Sequence, residues 1–274
     1  MKIPSFGIDV SSYQKNINYE QAAEAIDWVI IRGSLGGTGP IKDGSFETHY
    51  KQFKKLGVPV GAYHYLRGTS VEHAKNAAKF FYKKCLKGKS FEMPVFVDVE
   101  GDVLKVGKQL LTDMILTFIH TLESHGYYCG IYSSRSFFDY WFYDKGVLDA
   151  YPHWIAEYSR NCNYEPTLQI GMWQYGNESH NYFRNKEVGG VVCDQNFGYV
   201  DYPAYIIEHG VNGYMLKGDV DGNGKVDAND YLLAKRIWFG TYNPTAEEFA
   251  RADMDGDGKI GVFDLLRIKR KVLK

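Results

Sequence analysis

Asp98 and Glu100 stand two residues apart where an apolar run, Met93-Pro94-Val95-Phe96-Val97, comes to its end. Such a run reads as a buried strand, and side chains two apart on a strand share a face. Both carboxyls should therefore project together just before Gly101 opens a loop. Like charges held side by side repel, and the repulsion raises one pKa. A site that needs one carboxylic acid and one carboxylate near neutral pH is built this way. Glycoside hydrolysis is the commonest chemistry of that kind. A solvated acidic turn would carry the same two residues, so the pair has to be weighed with the elements that position it.

Those elements alternate over the first 200 or so residues. Strand-like runs occur at Phe6–Val10, Trp28–Arg32, Val58–Tyr63, the segment ending at Asp98, Tyr128–Tyr132, Trp154–Ala156, Gly171–Gln174 and Gly190–Asp194. Helical periodicity separates the early ones. Thr69 and Glu72 have capping-box spacing ahead of Ala74, Ala77, Ala78 and Phe81. Leu111, Ile115, Phe118, Ile119 and Leu122 form a second stripe that stops at Gly126. After residue 150 the gaps hold no convincing helix. Alternation of this kind predicts a parallel α/β sheet, and eight strands predict an irregular (β/α) barrel with fewer helices than strands.

A barrel places chemistry at the C-terminal strand ends. Asp9 ends the first run, Asp98 and Glu100 the fourth, and Asp194 the eighth, so four carboxylates from three distant segments are expected at one mouth. Tyr63, Tyr65, Tyr132, Trp154 and Gln174 fall at or near other strand ends and would together wall a groove suited to stacking on sugars. Each ring taken singly is an ordinary core residue. His64, with no second His or Cys at metal spacing, reads as a hydrogen-bonded structural residue. The glycines at 33, 36, 37 and 39 lack a following Lys-Ser/Thr and read as a flexible loop rather than a phosphate cradle.

Bulk properties narrow the classes. The 274 residues allow one large domain and a small one, and 45% hydrophobic content supplies a core. A net charge of −1 gives no reason to expect a nucleic-acid surface. Aromatic content of 16%, with 22 Tyr and 5 Trp, is rich and suits a carbohydrate site. Cys85, Cys129, Cys162 and Cys193 form no CxxC pair, so neither zinc nor a redox motif follows. Cys129 and Cys193 read as buried thiols, and the pairing of the four stays open. No run of 18 apolar residues exists, so no membrane span is expected. Met1 to Phe6 enters a strand at once, so no signal peptide is expected in this sequence.

The residues of the first 206 positions carry a resemblance. Gly7-Ile8-Asp9-Val10-Ser11-Ser12-Tyr13-Gln14 is similar to the opening motif of the family 25 glycoside hydrolase lysozymes. Val60 to Tyr65, Pro94 to Glu100, Gly130 to Tyr132, Trp154 to Tyr158, Trp173 to Tyr175 and Asp194 to Asn196 resemble later motifs in the same order. The resemblance implies an N-acetylmuramidase that cleaves the β-1,4 bond from N-acetylmuramic acid to N-acetylglucosamine in peptidoglycan. It implies Glu100 as general acid and Asp98 as the residue that positions or charge-stabilises the 2-acetamido group. Asp9 and Asp194 would shape the pocket floor, and no cofactor is implied in the catalytic site. An acetamido sugar supplies its own nucleophile, so the expected mechanism is substrate-assisted and retaining. One departure is His49, where the family usually has Asn; lying on a helix away from the strand ends, it bears on packing rather than catalysis. A non-catalytic peptidoglycan-binding module and another acetamido-sugar hydrolase, such as a chitinase, are the competing readings.

A second constellation lies near the C-terminus. Residues 219–230 and 253–264 are two acidic loops offset by 34 residues, each with oxygen-bearing side chains at positions 1, 3, 5 and 12 and Gly at position 6. That pattern is a calcium loop. The candidate ligands are Asp219, Asp221, Asn223, Lys225 (through its carbonyl), Asp227 and Asp230 in the first. In the second they are Asp253, Asp255, Asp257, Lys259 (again through its carbonyl) and Asp264. A pair of EF-hands would use Glu at position 12, and Gly213 to Gly218 is no entering helix. Loop followed by helix, twice, resembles a dockerin. That implies two Ca²⁺ ions, a cohesin partner on a scaffold protein such as a cellulosome's, and an extracellular site with the leader removed. The expected domains are thus 1–206 (barrel), 207–217 (linker) and 218–274 (dockerin).

Overall fold

A computed structural model describes the chain apart from residues 141–144, 162, 164–169, 178, 181–182 and 274. Cys162 lies outside the described residues. The chain divides into two compact units, Met1–Ile206 and Ile207–Lys274.

The first unit is a closed eight-stranded barrel. Its strands are β1 (Ser5–Val10), β2 (Trp28–Gly36), β4 (Val60–Leu66), β5 (Val95–Asp98), β6 (Cys129–Ser134), β7 (His153–Ala156), β8 (Ile170–Gly176) and β11 (Asp194–Gly198). A short β3 (Ile41–Lys42) pairs antiparallel with the end of β2, and β9 (Glu187–Val188) with β10 (Val191–Val192) forms a separate hairpin. Pairings from β1 through β8 are parallel, whereas β11 runs antiparallel to both β8 and β1 and closes the ring. Strands buried on both faces are apolar throughout, as Trp28-Val29-Ile30-Ile31 is. Gly7 is required where β1 meets β2, because a Cβ there would lie 2.2 Å from the Trp28 ring.

Helices α1 (Tyr19–Ala25), α2 (Phe46–Lys55), α3 (Val71–Phe81) and α4 (Lys108–Glu123) cover the outside of the early strands. The stripes expected on α3 and α4 are buried: Ala74, Ala77, Ala78 and Phe81, then Leu111, Ile115, Phe118, Ile119 and Leu122. Among the described residues, the helices between β6 and β11 are the short α5 (Arg135–Tyr140) and α6 (Lys145–Leu148).

Four local expectations need correction. The residue 190–194 segment is not the eighth strand; Val191–Val192 belongs to the hairpin, and Asp194 begins β11 rather than ending a parallel strand. The cap of α3 is Ser70, whose side chain accepts the His73 N–H, not Thr69. Gly33 and Gly36 lie within β2, not in a loop; the run of expected strand is longer because small residues there admit Phe81 from α3. His49 on α2 is fully buried, with Nε2 3.0 Å from the Ser11 carbonyl just beyond β1 and Nδ1 2.9 Å from the Tyr19 hydroxyl. Its ring therefore braces the turn at that strand end instead of lying away from it.

The first unit ends within α7 (Tyr202–His209), which runs on to residue 209, so part of the expected linker is helical. In the second unit then come α8 (Ala228–Trp238), α9 (Ala246–Ala252) and α10 (Val262–Val272). A coil precedes the first loop, but α9 enters the second, a helix the sequence reading passed over. The buried centre of this unit is Val220, Ala234, Ala252, Leu265 and Ile268.

Candidate active site and the acidic loops

Each acid of the barrel reaches the same mouth by a different route. Asp9 sits near the C-terminal end of β1, and Asp98 ends β5 with Glu100 two residues beyond it. Asp194 opens β11, and because that strand is reversed its first residue lies at the rim where the parallel strands finish. The register pairs Asp9 directly with Asp194. A small cavity of about 70 Å³ is lined by Asp9, Asp98, Glu100 and Asp194, with Tyr63, Tyr132, Trp154 and Gln174 around them.

A chain of hydrogen bonds fixes Asp9. Its Oδ2 accepts Gln174 Nε2 and Asn196 Nδ2, each at 2.9 Å. Gln174 must present its amide nitrogen, because its Oε1 already accepts the Tyr132 hydroxyl at 2.7 Å and the Tyr158 hydroxyl at 2.9 Å. Asn196 is turned the same way by Trp154 Nε1, which donates to its Oδ1 at 2.7 Å. Asp98 is 5% exposed, and its Oδ1 is buried without a hydrogen-bond partner. A buried polar atom left so costs about 1–3 kcal/mol. A substrate N–H arriving in the pocket would relieve that cost.

Burial, more than mutual repulsion, sets the protonation of these acids. It pushes the Asp9 carboxyl up to about 6, outweighing the two amide hydrogen bonds that pull it down. Asp98 is held well above the ordinary carboxylate range by burial first, then by the charges of Glu100 and Asp9. Glu100 is raised by burial and next by Asp9. Asp98 is the more buried of the pair, while Glu100 is half-buried and lines the wider opening. Reach toward a substrate, rather than the larger shift, marks Glu100 as the proton donor.

The aromatic residues are placed differently from the expected groove. Trp154 is 1% exposed, and its ring packs on Tyr132 at 4.4 Å, Phe96 at 5.3 Å and Tyr63 at 6.0 Å. Those faces are used by one another, so Tyr63, Tyr132 and Trp154 form the pocket floor. The open rings are Tyr13, 83% exposed with the Arg32 guanidinium 5.2 Å from its centroid, and Tyr158, 38% exposed and stacked with His180. Tyr65 is half-buried beside Glu100. Asn196 and Tyr158 were missed as site residues, although both fall inside the motif segments. His64 donates or accepts within a closed structural set, Ser34 Oγ at 2.7 Å and the Gly36 carbonyl at 2.9 Å. Cys85, Cys129 and Cys193 are buried free thiols.

The acidic loops of the second unit repeat one design. Asp219 accepts the N–H groups of Asn223 and Gly224, and Asp253 those of Gly256 and Gly258. Asp230 accepts from Asp221 and Asp227, and Asp264 from Met254 and Gly261. Carboxylate oxygens of Asp219, Asp221 and Asp230 lie within 4.8 Å of one another, as do those of Asp253, Asp255 and Asp257. An all-oxygen donor set with buried carboxylates fits a hard divalent cation. Asp227 is engaged elsewhere, capping α8 through the Asn229 N–H, and Gly261 stands at its counterpart before α10. Among the described residues, no helix is long and apolar enough to cross a membrane.

Comparison with known proteins agrees with this geometry. Residues 217–273 match the dockerin type I domain. An autolytic lysozyme of Clostridium acetobutylicum is 26% identical over 159 residues, which are 56% of this chain and 44% of that protein, so the chain spans less than half the length of this curated relative. The catalytic domain of the endolysin ply40 from bacteriophage P40 of Listeria monocytogenes is 26% identical with a TM-score of 0.57, covering 75% of this chain and 98% of that one. The spore cortex lytic enzyme SleM of Clostridium perfringens shares the fold at a TM-score of 0.61 and 24% identity, over 72% of this chain and 68% of that one. Residues 8–182 match the model of glycosyl hydrolases family 25, and the chain belongs to that family.

Proposed function

We propose that the barrel is a muramidase that cleaves the β-1,4 bond between N-acetylmuramic acid and N-acetylglucosamine in peptidoglycan. The observation that carries this reading is the convergence of Asp9, Asp98, Glu100 and Asp194 on one small cavity, with a buried Asp98 oxygen lacking a partner. Glu100 gives its proton to the leaving oxygen. Asp98 receives the acetamido N–H and stabilises positive charge on that group as its oxygen attacks the anomeric carbon. Asp9, locked by Gln174 and Asn196, and Asp194 hold the floor. Water then opens the cyclic intermediate with Glu100 acting as base, so configuration is retained. Tyr63, Tyr65, Tyr132, Trp154 and Gln174 shape the pocket.

The second unit tethers the enzyme to a cohesin on a scaffold protein outside the cell. Each loop holds one Ca²⁺, the first through Asp219, Asp221, Asn223, the Lys225 carbonyl and Asp230, the second through Asp253, Asp255, Asp257, the Lys259 carbonyl and Asp264. Asp227, already capping α8, contributes at most through the loop's outer positions.

Mass spectrometry of digested peptidoglycan tests the catalytic reading. Wild type should release fragments ending in reducing muramic acid, and Glu100→Gln should lower that rate by about 10²–10⁴-fold, the usual contribution of a general acid. Fragments ending in N-acetylglucosamine, or full activity in the variant, would remove the assignment.

A further inference from the structure

A second cavity, of about 340 Å³, adjoins the acid pocket, and Glu100 lines both. Tyr65, Arg67, Thr69, Gly101 and Asp102 supply the rest of its polar wall. Two features shape it in advance. Gly101 has φ +69, which side-chain-bearing residues rarely adopt, and a Cβ there would come within 3.1 Å of the Tyr65 hydroxyl. The turn after Glu100 thus lies close against Tyr65. Arg67 then lies over the Tyr65 ring, its guanidinium carbon 4.8 Å from the centroid. That contact orients the cation without neutralising it.

Arg67 is the cation among the residues lining this cavity, with Glu100 and Asp102 as the acids. Arg67 makes no ion pair with a carboxylate among the described residues, whereas Asp102 is bonded to Lys105 at 2.6 Å and its side chain is 93% exposed. Glu100 is uncharged while it holds the proton it is to donate. The cavity therefore presents one oriented guanidinium in the same wall as the proton donor.

We propose that Arg67 is a specificity-determining residue that binds a carboxylate of the substrate in this cavity. The inference rests on the muramidase reading. Muramic acid carries such a group on its lactyl ether wherever no stem peptide is attached, and attached stem peptides carry others. A guanidinium fork suits either, because it donates two parallel N–H bonds to a carboxylate. A neutral acetamido-sugar polymer has nothing to offer it.

Steady-state kinetics of wild type, Arg67→Ala and Arg67→Lys should be compared on three substrates. These are intact peptidoglycan, glycan chains stripped of peptide by an amidase, and stripped chains whose lactyl carboxylates are converted to methylamides. Arg67→Ala should raise KM roughly fivefold with kcat within about twofold, the scale of a partly exposed charge pair. Methylamide formation should impose the same penalty on wild type and none on Arg67→Ala, and Arg67→Lys should recover most of the loss. An effect on stripped chains assigns the lactyl carboxylate; an effect confined to intact peptidoglycan assigns the stem peptide. Equal KM for wild type and Arg67→Ala on all three substrates overturns the inference while the muramidase reading stands. A wild type that releases no muramic acid ends overturns both.

Discussion

Both units bury aspartates, and they do so for opposite ends. In the barrel, Asp9 and Asp98 are enclosed within a large apolar core and meet amides, phenols and other acids. Enclosure there raises the pKa values of both. In the second unit, Asp219, Asp230, Asp253 and Asp264 are just as enclosed, but their partners are backbone N–H groups of the loops themselves. One arrangement raises carboxyl pKa values; the other gathers carboxylate oxygens within 4.8 Å of one another. The same residue type thus serves two chemistries, and the surrounding donors decide which.

The contrast extends to stability. The barrel's core draws on every strand and on the covering helices. The second unit is centred on five small or medium side chains, and a domain of under about 70 residues rarely stands on such a core without a metal or disulfide. The largest expected effect follows. Chelation of Ca²⁺ should abolish the ordered structure of residues 218–274 and leave the barrel's thermal transition in place. Circular dichroism and calorimetry that are unchanged by chelator would break the comparison on the side of the loops.

A smaller effect sharpens the other side. Asp98→Asn should lower muramidase activity and stabilise the barrel. The sign follows from linkage: burial raises the folded-state pKa of Asp98 above its ordinary 3.8. Below about pH 4 the group is neutral in both states and wild type suffers no penalty. As pH rises toward neutrality the unfolded chain ionises first, so wild type loses stability that the Asn variant keeps. Relief of strain at a functional site commonly gives about 0.5–2 kcal/mol. That corresponds to roughly 1–8 °C in Tm for a unit of this size. The gain should appear at pH 7 in a thermal scan and vanish near pH 4. A variant less stable than wild type at pH 7 would mean that Asp98 is a structural acid.

Much of this was legible in the sequence because it depends on period and spacing. The i, i+2 relation of Asp98 to Glu100, the apolar strands and the 34-residue repeat each follow from local geometry. What escaped depends on long-range pairing. Nothing in Gly190–Asp194 tells that β11 enters reversed, and Asp194 reached the mouth for a reason other than the expected one. Trp154 reads as a sugar platform until Tyr63, Phe96 and Tyr132 are seen packed around it. Arg67 was invisible for the same reason, since its importance lies in a ring beneath it and a glycine turn 34 residues away. The weight of burial over repulsion in setting the acids' protonation also required the enclosing residues to be in place.

Enclosure at one barrel mouth raises carboxyl pKa values above the ordinary range. Titration of the side-chain carboxyl carbons by ¹³C NMR, with Asp9, Asp98 and Glu100 assigned through single substitutions, measures it directly. Asp9 should titrate at about 6, with Asp98 and Glu100 also above the ordinary carboxylate range. Three carboxyls titrating together near pH 4 would contradict it.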